Sequence, residues 1–132
     1  MPVQVVWDDE AQTILRQIYS GHLKMEDYIQ GTDEFGRMAR TVTHPVHSIM
    51  DRSKVISTPG IILPAMRYAN NNLPPNLDLR IVVKASMFTR VIVDLGRRAA
   101  PKLANNVYFV DTVEEAHRVV AEHTEKVPAA IS

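Results

Sequence analysis

Hydrophobic and polar residues alternate in two short stretches at the start of the chain. Val3–Trp7 is rich in valine, Asp8–Ala11 follows as a polar turn, and Thr13–Tyr19 alternates again. A period of two residues turns one face of each segment toward a core, and two such segments joined by a short turn form a hairpin. The chain is therefore predicted to open with an antiparallel β-hairpin.

Helical spacing of apolar residues begins at Met25 and continues to Val42, with the acids Glu26 and Asp27 in the first turn. The helix dipole favours negative charge at that end. Pro45 ends the helix, because its ring disfavours helical geometry in the preceding residue and it has no backbone donor. This segment is predicted to be the first helix.

Two further helices are predicted in the second half of the chain. One begins near Ser86 and ends before Pro101, its apolar residues form a stripe on one face, and core packing is expected to explain the spacing of Met87 and Phe88. The residues of this stripe are Phe88, Val91, Ile92, Leu95 and Ala99. The other begins at the capping box formed by Thr112 and Glu115.

Three apolar runs lie between the helices, at Val46–Asp51, Leu77–Lys84 and Val107–Val110. Consecutive apolar residues are typical of strands buried on both faces of a parallel sheet. The order β-β-α-β-α-β-α-β-α predicts an α/β fold, with a mostly parallel, mixed five-stranded sheet, an N-terminal β-hairpin and four helices. We expect one domain over residues 1–126 and a frayed tail over residues 127–132.

The central stretch joins the third strand to the second helix. The strand is expected to end at Asp51, followed by a polar loop as far as Gly60, and Ser57 or Thr58 is positioned to cap the next helix. A proline inside the first turns would kink a helix, so the regular helix is expected to begin near Pro64 and to end near residue 70. Ligands and partners of open α/β sheets gather at loops of this kind.

Length and composition narrow the class of protein. The chain has 132 residues, enough for one domain with a core, and 15 basic residues balance 15 acidic ones. There is thus no overall charge to attract nucleic acid. The absence of cysteine suits a reducing compartment, and neither a signal peptide nor an apolar run of the roughly 20 residues needed to span a bilayer is evident. We expect a cytoplasmic protein with no nucleic-acid partner and no membrane span.

Motifs for catalysis are missing from the sequence, which has no GxGxxG, P-loop, GxSxG or HExxH. His44 and His47 flank Pro45, but a catalytic zinc needs three protein ligands and no third one follows at suitable spacing. His117 and His123 fall on different faces of the last helix, and no neighbour in sequence orients either as a general base. We expect no metal, no cofactor and no enzymatic activity.

The central stretch resembles the STAS domain of bacterial anti-sigma-factor antagonists, the SpoIIAA-like fold. In that family a strand ends in an aspartate, and an Asp-Ser-Ser-Gly motif at the next helix carries the serine that a partner kinase phosphorylates. Asp51 matches the strand-end acid and Gly60 the motif glycine, whereas Ser57 replaces the motif acid and Thr58 and Pro59 replace the serines. The resemblance implies a kinase or anti-sigma-like regulator as partner, with Thr58 or Ser57 as the phosphoacceptor.

Other segments are similar to small STAS-like bacterial proteins, and they imply the fold more than an activity. These segments are Trp7-Asp8, Tyr19-Ser20-Gly21, Glu26-Asp27-Tyr28 and Val110–Ala116.

The preferred hypothesis is a non-enzymatic regulatory or protein-interaction module that contacts its partner through loop 51–60 and the start of the next helix. The residues expected in this contact are Asp51, Ser53, Ser57, Thr58, Gly60, Ile61 and Ile62. Ile61 and Ile62 are expected to be partly exposed and to anchor the partner.

The alternative hypothesis is a small-molecule carrier or sensor that holds an apolar ligand or a nucleotide between the sheet and the helices near the same loop. A purely structural explanation also exists, in which Asp51 ends a strand and Ser57 or Thr58 caps a helix. A symmetric homodimer through an edge strand or a helix is compatible with all of these.

Overall fold

The computed structural model describes residues 2–58, 60–99 and 106–126. Strands and helices alternate in the predicted order. The strands are β1 (Val3–Trp7), β2 (Ile14–His22), β3 (Val46–Ser57), β4 (Leu77–Val83) and β5 (Val107–Val110). The helices are α1 (Met25–Ala39), α2 (Ile62–Asn71), α3 (Met87–Ala99) and α4 (Val113–Lys126). Pro59, Pro101 and the predicted tail 127–132 lie outside the described residues.

The five strands lie side by side in chain order, β1-β2-β3-β4-β5. The β1–β2 pair is antiparallel and the other three pairs are parallel, which confirms the mixed, mostly parallel sheet with its opening hairpin. Helices α1 and α2 cover one face of this sheet, where α3 also packs, and α4 covers the other. This arrangement confirms an α/β fold with five strands and four helices.

Each face of the sheet has its own hydrophobic core. The core under α4 contains Ile14, Ile49, Leu79, Ile81, Val83, Val110, Ala116 and Val120. The opposite face has one cluster around Leu15, Phe35, Ala39 and Val46, and another around Val3, Tyr19, Leu23, Tyr28 and Ala65. Apolar burial on both faces explains why the central strands read as nearly continuous apolar runs.

Helix α1 approaches the sheet closely at Gly31. The Gln17 side-chain amide donates a hydrogen bond of 3.2 Å to the Gly31 carbonyl oxygen, and a Cβ atom at Gly31 would collide with the Tyr19 hydroxyl and ring. A glycine therefore sets the distance between α1 and β2.

Strand β3 continues to Ser57, so the prediction that it ends at Asp51 was wrong. Pairing with β4 does stop at Asp51, but pairing with β2 continues through Lys54 and Val55. A bulge separates the two parts, because Arg52 and Ser53 together oppose a single residue of β2. A strand with one neighbour accommodates polar residues readily, which made this extension look like a loop in the sequence.

Helix α2 begins at Ile62, two residues before Pro64, and ends at Asn71. The proline falls in the first turn, where backbone N–H groups have no partner within the helix, so the helix continues through it. The N-cap residue is Ile61 and no side chain caps the helix. The prediction that Ser57 or Thr58 caps α2 was wrong, since the chain needs three more residues to turn from β3.

The predicted starts of the last two helices are confirmed. The Thr89 N–H donates a hydrogen bond of 3.1 Å to the Ser86 hydroxyl, and the Glu115 N–H donates one of 3.0 Å to the Thr112 hydroxyl. Both bonds satisfy N–H groups that a helix start leaves free. None of the helices in the described part of the chain has the length and apolar character needed to cross a membrane.

Candidate functional site

Asp51 precedes the bulge of β3, Ser53 lies within it, and the two residues bond to each other. The Asp51 carboxylate accepts hydrogen bonds from the Ser53 N–H at 3.0 Å and from the Ser53 hydroxyl at 2.7 Å. These bonds replace part of the strand pairing that the bulge interrupts. The structure thus gives the two residues a local role and does not bring them together with Ser57 and Thr58.

Ser57 and Thr58 line a surface pocket of about 240 Å³ at the end of β3, which we call the edge pocket. Its lining residues are Arg52, Val55, Ile56, Ser57, Thr58, Lys84 and Ser86. Two cationic and three hydroxyl side chains thus meet where β3 and β4 end, and no acid is among the described residues that line this pocket. Charges of this kind are suited to an anionic group.

Lys84 lines the edge pocket and has a backbone conformation that lysine seldom adopts, with φ of +62°. Its N–H donates a hydrogen bond of 3.0 Å to the Val110 carbonyl oxygen, which fixes the turn from β4 toward α3. Ser57 is also fixed, since its hydroxyl lies 2.7 Å from Nδ1 of His22. Nothing in this geometry tests the predicted phosphorylation of Ser57 or Thr58, and it remains a prediction.

The remaining predicted contact residues lie at the start of α2. Gly60 has φ of +70° and open space around it, so the turn into α2 uses a conformation suited to glycine. Ile61 is half-buried against the Tyr19 cluster. Ile62 is only 7% exposed and faces inward, so the prediction that it is a surface anchor was wrong. Inward packing is the consequence of its place at the first position of an amphipathic helix.

A second pocket of about 150 Å³ lies between the sheet and α1, α2 and α3, where it is partly open to solvent, and we call it the internal cavity. Ile62, Met66 and Ala69 of α2 form one wall, and Met50 of β3 and Val93 of α3 belong to the facing walls. Most of the lining is apolar. A closed apolar cavity of the same volume holds a benzene-sized molecule in another protein, so this pocket has room for a ligand of that size.

Arg52 lines both the internal cavity and the edge pocket. The residue is only 7% exposed, and its Nη1 donates a hydrogen bond of 2.6 Å to the Tyr28 hydroxyl. Within residues 2–58, 60–99 and 106–126, no carboxylate lies at ion-pair distance from its guanidinium group. A buried charge is costly unless an opposite charge or several hydrogen bonds compensate it.

Sequence reasoning missed Arg52 because it was assigned to a loop. The signal that could have found it is the alternation of β3, in which Val46, Ser48 and Met50 face the α1–α2 side and Arg52 follows in the same series. Extending the strand past Asp51 would have placed a charged residue beneath α1.

Helix α3 presents apolar side chains to solvent, so the prediction that core packing accounts for Met87 and Phe88 was wrong. Met87 is 75% exposed and Phe88 is 60% exposed, and Val91 and Leu95 continue the stripe. The helix packs inward through Thr89 and Val93 instead, which are both buried. Periodicity identified an amphipathic helix, but the face that meets the sheet is decided by the orientation of the helix. Ile56 is also exposed, and it lines the edge pocket together with Ser86, which directly precedes α3.

Two of the histidines, His47 and His123, lie against each other. His47 is buried, its Nδ1 accepts a hydrogen bond of 3.2 Å from a backbone N–H of β4, and its ring meets that of His123 edge-on at 5.7 Å. Burial lowers the pKa of His47 below its usual value, against the opposing influence of Asp78. His44 is exposed and bonds to a backbone carbonyl of the opening turn. Among the described residues, no three histidine or acidic side chains come close enough to hold a metal ion.

No protein-family model matches the chain, and no characterised protein shows significant sequence similarity to it. The fold and the geometry of these sites therefore carry the functional reasoning.

Proposed function

We propose that this protein is a non-enzymatic regulatory or protein-interaction module resembling STAS anti-sigma-factor antagonists. Its contact surface combines the end of β3 with the outward face of α3, and we call it the α3 surface. The apolar residues of the α3 surface are Ile56, Met87, Phe88, Val91 and Leu95, all exposed. Their exposure is the observation on which the proposal rests.

The α3 surface has the chemistry expected of a contact patch. Monomeric proteins seldom expose several large apolar side chains side by side, because each such contact with water costs free energy. Polar residues border the patch, including the Asp94–Arg97 ion pair at 3.4 Å. An apolar centre with a polar rim is the usual anatomy of protein interfaces, and aromatic and methionine residues are enriched in them.

This surface differs from the one that the sequence predicted. Ser57 and Thr58 remain part of it through the edge pocket, whereas Asp51 and Ser53 bond to each other at the bulge.

Phosphorylation of Thr58 or Ser57 is a regulatory step of the proposal, since Arg52 and Lys84 would attract the phosphate. Tandem mass spectrometry of the protein purified from its host tests this step. Unphosphorylated peptide under all growth conditions would contradict it.

Photo-crosslinking in the host cell tests the α3 surface. The chain carries benzoylphenylalanine at position 91, on α3, or at position 118, an exposed site on α4. A discrete adduct is expected from position 91 and not from position 118, and the added changes Phe88→Ser and Leu95→Ser should remove it. An adduct of twice the chain mass would identify a second copy as the partner. Equal patterns at both positions, or no adduct at position 91, would contradict the proposal.

The internal cavity favours small-molecule binding as a second candidate function. Its volume of about 150 Å³ and its apolar lining suit a small apolar ligand better than the nucleotide also considered from sequence. Native mass spectrometry of gently purified protein is expected to reveal a bound small molecule that Ala69→Leu, which fills the cavity, displaces. A wild-type protein that carries no ligand and does not shift its melting temperature with any apolar compound would exclude this candidate.

A further inference from the structure

We propose that the internal cavity binds a small molecule with an apolar body and one carboxylate group, and that the carboxylate pairs with Arg52. The proposal rests on the second candidate function above and assigns the chemical class of the ligand. It is independent of the α3 surface.

The buried charge of Arg52 carries the proposal. A guanidinium group stays protonated at all physiological pH values and has five N–H donors. Within the described residues, the guanidinium group of Arg52 makes one side-chain hydrogen bond, from Nη1 to the Tyr28 hydroxyl. Its carbon also lies 5.6 Å from the centre of the Tyr28 ring. A carboxylate in the cavity would supply the missing negative charge and accept two parallel N–H bonds.

The surroundings of Arg52 select a monoanion with an apolar body. Gln17 and Ser48 also line the cavity and are engaged elsewhere, since the Ser48 hydroxyl donates a hydrogen bond of 3.4 Å to the Gln17 side-chain oxygen and the Gln17 amide donates one of 3.2 Å to the Gly31 carbonyl oxygen. The Tyr28 hydroxyl accepts the Arg52 bond and retains its own proton, which it can donate to the same carboxylate. Beyond this polar end the lining is mostly apolar, with Met50, Ile62 and Met66 among its residues. Its other polar residues are Thr32, Asn70, Asn72, Arg80 and Thr89, and the Arg80 guanidinium group donates a hydrogen bond of 2.9 Å to the Asn70 side-chain oxygen.

Benzoate is the probe for this site because it combines a carboxylate with a ring of the size that such a cavity holds. Isothermal titration calorimetry on the full chain compares benzoate with toluene and with benzyl alcohol. We expect benzoate to bind at least ten times more tightly than benzyl alcohol. This comparison needs no variant, so it stays decisive even if a change at Arg52 prevents folding.

Three variants locate the binding. Arg52→Met removes the charge at similar volume and should weaken benzoate binding at least tenfold while toluene binding persists. Arg67→Met removes an exposed charge from α2 and should leave both affinities unchanged. Ala69→Leu fills the cavity and should abolish the binding of both compounds.

The outcomes separate this proposal from the function on which it rests. Toluene binding without benzoate binding would overturn the carboxylate class and leave a ligand-binding cavity. If neither toluene nor benzoate binds, both the carboxylate class and the ligand-binding function are overturned. Benzoate binding that inorganic phosphate displaces and that Ala69→Leu leaves intact would place the anion in the edge pocket, which also overturns the proposal. Equal benzoate affinity in the wild type and in Arg52→Met would also overturn the proposal.

Discussion

Arg52 and Tyr28 contact each other in two ways across the junction of β3 and α1. Arg52 Nη1 donates a hydrogen bond of 2.6 Å to the Tyr28 hydroxyl, and the guanidinium carbon lies 5.6 Å from the centre of the same ring. Tyr28 also stacks on Tyr19, with ring centres 5.2 Å apart. The charge that lines both the edge pocket and the internal cavity is thus held in place by a tyrosine of the first helix.

A double-mutant cycle should measure this contact. Tyr28→Phe leaves a buried charged donor without its acceptor, so we expect the free energy of unfolding to fall by about 1–2 kcal/mol. In the background of Arg52→Met the same change should cost less, with a coupling of about 1 kcal/mol. Urea denaturation gives all four values. Tyr68→Phe, which removes an exposed bond to Asp33, is the control and should have little effect. Additive losses in the cycle would show that Arg52 and Tyr28 stabilise the fold separately.

Alanine substitutions at two neighbouring positions of α3 should lower the free energy of unfolding by different amounts. Val93→Ala removes a buried side chain and should lower the free energy of unfolding by about 1–3 kcal/mol. Leu95→Ala removes a larger but exposed side chain and should change it by less than about 0.5 kcal/mol. Denaturation of both variants in parallel provides the comparison. If Leu95→Ala costs as much as Val93→Ala, the stripe faces the core.

Two glycines of α1 should respond in opposite ways to alanine. Gly31→Ala drives a methyl group into Tyr19, so we expect a loss of about 1–3 kcal/mol. At Gly36 the added methyl meets only the end of the exposed Arg40 side chain, which can move away. Gly36→Ala should therefore be neutral or stabilise the protein by up to about 1 kcal/mol through helix propensity. Thermal unfolding of the two variants decides between this account and a general intolerance of α1 to substitution.

Stability should decrease in mild acid because of His47. Burial is the main cause that lowers its pKa in the folded state, with Asp78 and Asp9 opposing and His123 adding to the effect. As the pH falls below the ordinary histidine pKa of 6.5, His47 is therefore protonated in the unfolded chain before it is protonated in the folded protein. The free energy of unfolding should decline from that point downward, and His47→Asn should make the decline shallower. Parallel slopes for the two proteins would assign the pH dependence to other groups.

The order of elements was predictable because local signals agreed along most of the chain. The capping residues Ser86 and Thr112 identified two helix starts, and apolar runs identified the buried strands. Composition and motifs left the function open.

The candidate site was less predictable, and β3 illustrates why. Polar residues after Asp51 resemble a loop, but pairing with β2 keeps them extended as far as Ser57. Whether a polar segment becomes a strand depends on a partner strand that lies more than 30 residues away in sequence. Local patterns contain no information about that partner.

The sequence by itself determined the number, type and order of the elements, since hydrophobic period, prolines and helix caps act over a few residues. Only the tertiary structure decided which face of α3 meets the sheet, that Ile62 points inward, and that Arg52 is buried beside Tyr28. Each of these depends on how whole elements are oriented against one another. Residues distant in sequence compete for the same space around the sheet, and their packing selects one arrangement among several that share the same pattern.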